Sequence, residues 1–410
     1  MAAALISSLP HPHPHPLLLI IFFFILISSI VAALASSSSF DDSLIHEDDR
    51  DGGGLVSVSV SVEQLAFLSR NVAGEVPPAI LTKLSPMTAH DSARYALNPD
   101  LMTPGPGDHD ANNNNNDDFC SLAHLACASA FHDSAKTVTN TYTTTKTYAT
   151  PRAAALNSNN KVKEDPFSFF RRSLLKSGNR IRLPDLHESL PDRSFLPFPL
   201  ASRIPLNYSA LLRIFPALSS ESSINLDALV RNTLAYCSAP QIAGETKSCP
   251  TSLEELVGFA KSSLLGNGNL GKIVGLASKN MDAKGLGDEV VVGEVKEYEG
   301  VDNKIVACHE AFLPFAAYFC HSLSSTKLYG VEILVVDDAA GEIMKKASKS
   351  TSAIDNTTAA AAATMLAICH MDTSAWPKDH VAFKILKTGA GQGEACHWFT
   401  MLDVAWIAAH

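Results

Sequence analysis

The sequence predicts an α+β chain: a helical lead-in, then a β-rich, mainly antiparallel C-terminal unit, behind an N-terminal region that is largely disordered. Three observations predict this. Low-complexity tracts crowd residues 36–165, and helix start and stop signals begin at Pro166. After Gly287, short β-branched and aromatic runs follow one another with no helical segments between them, which argues against a parallel sheet. Trp376, Trp398 and Trp406 all fall in this last stretch, so the core is expected there.

The elements are justified in chain order. Residues 17–35, LLLIIFFFILISSIVAALA, are uncharged and end in Ala33-Leu34-Ala35, the small-x-small exit of a secretory signal peptide, so 1–35 is read as a removed signal. A run of about 20 apolar residues also spans a bilayer, which leaves an uncleaved signal anchor as the alternative; the Ala-Leu-Ala exit favours cleavage. The tract His11–Pro16 would leave with the signal. Residues 36–165 hold Asp51-Gly-Gly-Gly54, the Asn run 112–116 and the Thr/Tyr tract 137–150, which offer too little apolar surface to pack. Within them, the Val/Ser alternation of Leu55–Val62 has the period of a strand.

From Pro166 the pattern becomes regular. Phe169–Gly178 reads as a short helix with a Gly stop, and Leu226–Tyr236 as a second helix. Two overlapping capping boxes, Thr251 with Glu254 and Ser252 with Glu255, open a third that runs to about Leu265. Strands are expected at Val290–Val295, Lys304–His309, Phe315–His321, Leu328–Val336, Met365–His370, Val381–Leu386, Ala395–Phe399 and Val404–Ile407. The chain therefore divides into a signal (1–35), a low-complexity region (36–165) and a folded domain (166–410).

Composition excludes several functions. With 42 Asp+Glu against 32 Lys+Arg in 410 residues, the net charge of −10 argues against a nucleic-acid binder and against charge-driven adhesion to an acidic polysaccharide. After signal cleavage no second long apolar run remains, so the mature chain is expected to be secreted and free of the membrane. In an oxidising compartment the eight Cys suggest up to four disulfides, drawn from Cys120, Cys127, Cys237, Cys249, Cys308, Cys320, Cys369 and Cys396. Cys237 with Cys249, and Cys120 with Cys127, are near enough in sequence to pair, which leaves the last four to bridge among themselves. Asn207-Tyr-Ser209 and Asn356-Thr-Thr358 are candidate glycosylation sites at Asn207 and Asn356.

Several catalytic motifs fail on context. Gly266-Asn-Gly-Asn-Leu-Gly271 spells a phosphate-binding loop, but a helix precedes it, a β-rich stretch follows, and Ile273 stands where Ser or Thr would hold magnesium. Asp372-Thr-Ser lacks the second copy that an aspartic protease needs.

One pattern survives. Cys308-His309, Cys320-His321, Cys369-His370 and Cys396-His397 are four Cys-His dipeptides, separated by gaps of 10, 47 and 25 residues. Chance association of 8 Cys and 15 His gives about 0.3 such pairs. Neighbours on a strand face apart, so one face can gather thiols and the other imidazoles. Two readings follow: a disulfide staple beside His residues that merely hydrogen-bond in the core, or a nitrogen-only metal site of His309, His321, His370 and His397. Imidazole donors lean towards copper, and that reading is favoured.

With Thr373-Ser-Ala-Trp376 after the third pair, these dipeptides resemble the plant BURP domain. Gly244-Glu-Thr-Lys-Ser-Cys249, Phe169-Phe-Arg-x-Ser-Leu-Leu-Lys176, Leu183-Pro-Asp-Leu, Leu190–Pro197 and Cys396-His-Trp398 with Trp406 resemble its polygalacturonase non-catalytic β-subunit branch, as Phe119-Cys120 and Cys127 do more loosely. The chain departs from that branch in its longer insert between the second and third pairs, its lack of Phe-x-x-Tyr repeats, and Pro377 directly after Trp376. The resemblance implies a secreted cell-wall (apoplastic) protein that is a non-catalytic accessory or regulator of a pectin-degrading polygalacturonase, with that enzyme or another wall protein as partner and pectin as a further one. The alternative it implies is a copper-dependent peptide cyclase that crosslinks Tyr side chains of its own N-terminal region. For that role Tyr95, Tyr142 and Tyr148 are the aromatic candidates, though none lies in a repeated unit. The accessory reading is favoured on that ground.

Overall fold

The computed structural model describes residues 59–103, 115–127, 167–184, 191–219, 224–279, 289–300, 304–337, 342–343 and 363–409. The expected signal peptide, the Thr/Tyr tract with Tyr142 and Tyr148, and the Asn356 sequon lie outside the described residues.

The helices are α1 (Val60–Asn71), α2 (Pro78–Leu81), α3 (Ala89–Leu97), α4 (Asn115–Leu122), α5 (Phe198–Ala201), α6 (Tyr208–Ile214), α7 (Ile224–Ser238), α8 (Leu253–Leu265) and α9 (Val381–Ile385). The strands are β1 (Phe169–Phe170), β2 (Arg180–Arg182), β3 (Glu245–Ser248), β4 (Ile273–Leu276), β5 (Glu289–Tyr298), β6 (Val306–Phe312), β7 (Ala316–Leu323), β8 (Thr326–Asp337), β9 (Glu342–Ile343), β10 (Ala363–His370), β11 (Ala395–Trp398) and β12 (Val404–Ala408). The α+β reading holds, and every pairing between these strands is antiparallel.

Local chemistry accounts for where the sequence reading succeeded and where it failed. Of the two capping boxes, Ser252 with Glu255 starts α8, each side chain satisfying the other's backbone N–H. The Val/Ser run was expected to be a strand, yet α1 begins at Val60. The last three residues of the alternation, Val60-Ser61-Val62, lie inside the helix capped by Ser59, whose Val60, Gln64 and Leu68 bury one face at every fourth residue. Phe169–Gly178 was expected to be helical. Instead Phe169 and Phe170 pair with His397 and Cys396 as an edge strand, and only Arg172–Leu174 makes a 3-10 turn. Val381–Leu386 reads as a strand but forms α9, because His380 Nδ1 accepts the Ala382 N–H at 3.1 Å and buries Val381, Ala382 and Phe383. Tertiary packing overrides β-propensity there.

Two sheets face each other. One runs β1-β11-β10-β8-β5-β2, with β9 attached to β8, and the other runs β3-β7-β6-β12-β4. Ile305, Ala307, Ala405 and Ile407 from the second meet Leu328, Leu366, Ile368 and Phe399 from the first in one apolar seam. The alternate residues of the same strands face outward. On the five-stranded sheet Val306, Cys308, Tyr318, Cys320 and Trp406 pack beneath α8 and the N-terminal helices.

Of residues 36–165, expected to be largely disordered, the structure describes 59–103 and 115–127. The described part of that region packs on the β-unit. Leu68, Val72, Ala79 and Ile80 share a core with Trp406 and Cys308. Ala73 N–H donates to Ile273 O at 2.8 Å, and Phe195 N–H to Lys83 O at 2.8 Å. Lys83 Nζ lies 2.7 Å from Glu310 Oε1, which Arg193 also meets at 3.1 Å, with all three side chains almost wholly buried. Gly275 permits the approach: a Cβ there would stand 2.8 Å from Pro77 and 2.9 Å from Trp406. These contacts join residues distant in sequence, so composition alone does not disclose them.

All eight Cys are paired. Cys120–Cys127 and Cys237–Cys249 close short loops on the helical side. Cys308–Cys320 joins β6 to β7 and Cys369–Cys396 joins β10 to β11, each with Cα atoms 4.0 Å apart at directly opposed positions.

Candidate metal centre: four imidazoles in the inter-sheet seam

The two cross-strand disulfides define equivalent modules, one in each sheet. On β6 and β7, Cys308 opposes Cys320, so His309 and His321 fall one step beyond on the other face. On β10 and β11, Cys369 opposes Cys396, and His370 and His397 fall likewise. Because side chains alternate along a strand, thiols face outward and imidazoles face the seam, where the modules stack.

The four rings form a closed circuit. Centroid separations are 5.5 Å for His309–His321, 5.7 Å for His321–His370, 5.7 Å for His370–His397 and 5.2 Å for His397–His309. All four residues are buried, none more than 6% exposed. Phe399 closes one side against His309 and His397, and Trp376 packs on His370 at 5.2 Å. Behind Trp376 lies His380, with ring centroids 4.3 Å apart.

Each ring has an outward partner for Nδ1. The Trp398 carbonyl stands 3.3 Å from His397 Nδ1, and Thr326 Oγ1 stands 3.3 Å from His370 Nδ1. Glu245 Oε1 is 3.5 Å from His321 Nδ1, and Asp403 Oδ2 is 3.6 Å from His309 Nδ1, the last an ion-pair distance just beyond a hydrogen bond. A carbonyl or an ionised carboxylate only accepts, so Nδ1 of His397 and His321 carries the proton and Nε2 keeps the lone pair, while His309 Nδ1 has no hydrogen-bond partner. Nε2 of His309, His321 and His397 is buried with no hydrogen-bond partner. Native interiors rarely leave such atoms unsatisfied, and each one calls for an explanation.

Burial sets the protonation of the rings. His370 and His397 are held well below the ordinary imidazole range, first by desolvation and then by neighbouring imidazoles. Desolvation also lowers His321, partly opposed by Glu245. Burial alone would raise the Glu245 and Asp403 carboxyls, but the facing His321 and His309 rings, together with backbone N–H donors, bring both below their usual values. These three rings are therefore neutral near pH 7, the form a metal requires.

Among the described residues, no group of three or more His, Cys, Asp or Glu is arranged to hold a metal ion as it stands. Imidazoles bonded to one ion at about 2.0–2.1 Å would have neighbouring centroids roughly 5 Å apart, close to the 5.2–5.7 Å separations of these rings. The orphaned Nε2 atoms would be the donors to an ion, and the carboxylate and carbonyl partners at Nδ1 would hold the rings in place, as in histidine metal sites. The residues fit a borderline ion such as copper or zinc. The Cys are consumed as disulfides on the opposite faces and take no part.

Sequence reasoning named the four His but missed their orienting partners. Glu245 sits in the recognised Gly244–Cys249 element and His380 keeps a Trp-x3-His spacing, so each had a signal; Asp403 and Thr326 had none. Asn207 is exposed and caps α6, its Oδ1 accepting the Ala210 N–H at 2.9 Å. It lines a cavity of about 550 Å³ with Tyr208, Asp227 and Arg231, and no cage residue lines it. A smaller cavity of about 470 Å³ is the relevant one, since it is lined by Glu245, Lys247, Phe319 and Asp379 beside the cage.

Comparison with known proteins follows this geometry. Residues 168–408 match the BURP domain. The chain is 32% identical over 246 residues to polygalacturonase 1 beta-like protein 1 of Arabidopsis thaliana, covering 60% of this chain and 35% of that protein. It is 31% identical over 246 residues, with the same coverage, to polygalacturonase-1 non-catalytic subunit beta of Solanum lycopersicum. BURP domain-containing protein 16 of Oryza sativa subsp. japonica is 30% identical over 366 residues, 86% of this chain and 90% of its own length. The chain thus spans about a third of the polygalacturonase-named relatives. Four cysteine-histidine dipeptides folded into two stacked disulfide modules, and a match across more than half of its length, make this chain a member of the BURP domain family.

Proposed function

We propose that this protein is a secreted, non-catalytic cell-wall accessory of a pectin-degrading polygalacturonase, and that it binds copper through His309, His321, His370 and His397. The observation that carries the metal reading is the meeting of four buried imidazoles in one seam, three of which (His309, His321 and His397) leave Nε2 without a hydrogen-bond partner. A bound copper ion supplies a redox-active centre. The chain's own residues orient the rings, exclude water, and keep the thiols away as disulfides.

The accessory reading leans on the names of relatives called non-catalytic subunits of polygalacturonase. Its physical route is a protein–protein contact or a cation bridge, because a chain of net charge −10 repels polygalacturonate. Secretion is supported by the apolar run with its Ala33-Leu34-Ala35 exit and by four disulfides, which persist in oxidising compartments. A glycan on Asn207 Nδ2 leaves Oδ1 free to cap α6.

The test is to immobilise the secreted, copper-loaded protein and pass a wall extract over it. Retention of polygalacturonase activity, with an unchanged protein mass, is expected. No retention overturns the accessory role. Loss of two hydrogens on incubation with Cu(II), mapped to Tyr142 or Tyr148, would install the cyclase reading in its place.

A further inference from the structure

We propose that Glu245 and Asp403 are positioning residues that match the imidazole cage to a divalent rather than a monovalent cation. The inference rests on the metal reading above and adds a charge preference to it. An imidazole bonded to a metal through Nε2 is neutral, so the four rings would bring no charge of their own to an ion in the seam. Among the described residues, the carboxylates paired with cage rings are Glu245, 3.5 Å from His321, and Asp403, 3.6 Å from His309. Their side chains are 9% and 5% exposed, so solvent does little to screen them.

Each carboxylate is fixed from behind. Asp403 Oδ1 accepts the Glu310 N–H at 3.0 Å and its Oδ2 accepts the Thr400 N–H at 2.8 Å. Glu245 Oε2 accepts the Ile242 N–H at 3.1 Å. One carboxylate serves each half of the five-stranded sheet's module, β7 and β6, while His370 and His397 of the facing sheet take the neutral partners Thr326 and the Trp398 carbonyl. Two negative charges thus balance a 2+ ion and leave a 1+ ion in surplus negative charge.

Cations also stand nearby. Lys247 lines the Glu245 cavity with its ammonium donating to Tyr236 O at 2.8 Å, and Lys83 and Arg193 hold Glu310 on the opposite face of β6. The Lys247 charge also acts on Glu245 and His321, and the test below leaves all three cations in place.

Glu245→Gln and Asp403→Asn keep shape and a carbonyl acceptor while removing one charge each. Affinities for Cu(II), Zn(II) and Cu(I) are measured on the full secreted chain, with the Cu(II)/Cu(I) midpoint potential. The expected result is about tenfold weaker Cu(II) and Zn(II) binding per substitution and about threefold weaker Cu(I) binding, since the Coulomb energy halves with the ion's charge, which for a one-electron couple raises the potential by about 30 mV. Equal weakening of all three ions, or no change, overturns the charge preference while the metal site stands. Wild-type protein that binds none of them overturns the preference together with the metal reading. If Asp403→Asn fails to fold, Glu245→Gln alone decides.

Discussion

Lys83 lies outside the matched BURP region, yet its ammonium is buried against Glu310 on the strand that carries His309. Lys83→Met tests whether the N-terminal helices belong to the same folding unit. The side chain is 6% exposed, Glu310 is 3% exposed, and the Nζ–Oε1 distance is 2.7 Å. Removing it leaves Glu310 and the adjoining Asp403 with Arg193 as the nearby buried cation. Breaking a buried pair by deleting one partner costs about 3–5 kcal/mol. Arg193 still compensates Glu310, so about 3 kcal/mol is expected. With a urea m-value of roughly 3 kcal/mol/M, the unfolding midpoint falls by about 1 M. Glu310→Gln should cost a similar amount, and the double variant should cost less than the sum, with a coupling of about 1–3 kcal/mol. The assay is equilibrium urea unfolding by tryptophan fluorescence under non-reducing conditions. A midpoint equal to wild type, or strict additivity, would refute the argument that this segment is structurally integral.

Three other outcomes are expected. Burial lowers the pKa of His380 to about 3, below its unfolded value near 6.5, so it contributes stability above pH 6.5 that is lost as pH falls towards 3, at about 1.4 kcal/mol per unit. His380→Asn keeps a capping side chain for α9 and should flatten that slope in urea titrations at pH 4 to 7; an unchanged slope argues against it. Replacing Cys308 and Cys320 together by Ser, or Cys369 and Cys396 together, should each cost about 3 kcal/mol and weaken metal binding, because the pairing that sets each His pair is loosened. Melting temperatures and metal titrations that match wild type would show the bridges are dispensable. Gly275→Ala drives a methyl into Pro77 and Trp406 and should destabilise by about 1–3 kcal/mol; a neutral effect would mean that the N-terminal segment yields.

Strand alternation carried most of what was legible. The Cys-His dipeptides implied opposite faces for thiol and imidazole, and the register places Cys308 opposite Cys320 and Cys369 opposite Cys396. The strands expected after Gly287 appear within a few residues, apart from α9, where His380 capping and the Trp376 contact outweigh local propensity. What sequence could not supply was tertiary. The packing of α1 and α2 on the β-unit depends on Leu68, Ile80 and Lys83 meeting Trp406 and Glu310 across hundreds of residues, while Asn and Thr tracts dominate the composition around them. Short β3 and β4 escaped notice because Glu245–Ser248 and Ile273–Leu276 are too brief to show a period. Asp403 escaped because a lone acid carries no pattern, although it faces His309.

The central claim is that four imidazoles in the inter-sheet seam hold one metal ion. Its most direct measurement is metal analysis of the secreted protein purified without chelators, repeated for single Ala variants of His309, His321, His370 and His397. One equivalent of copper in the wild type, lost or weakened by about tenfold or more in each variant that stays folded, is the expected result. A metal-free wild-type protein that also fails to take up added Cu(II) or Zn(II), or four variants with unaltered affinity, would contradict the account.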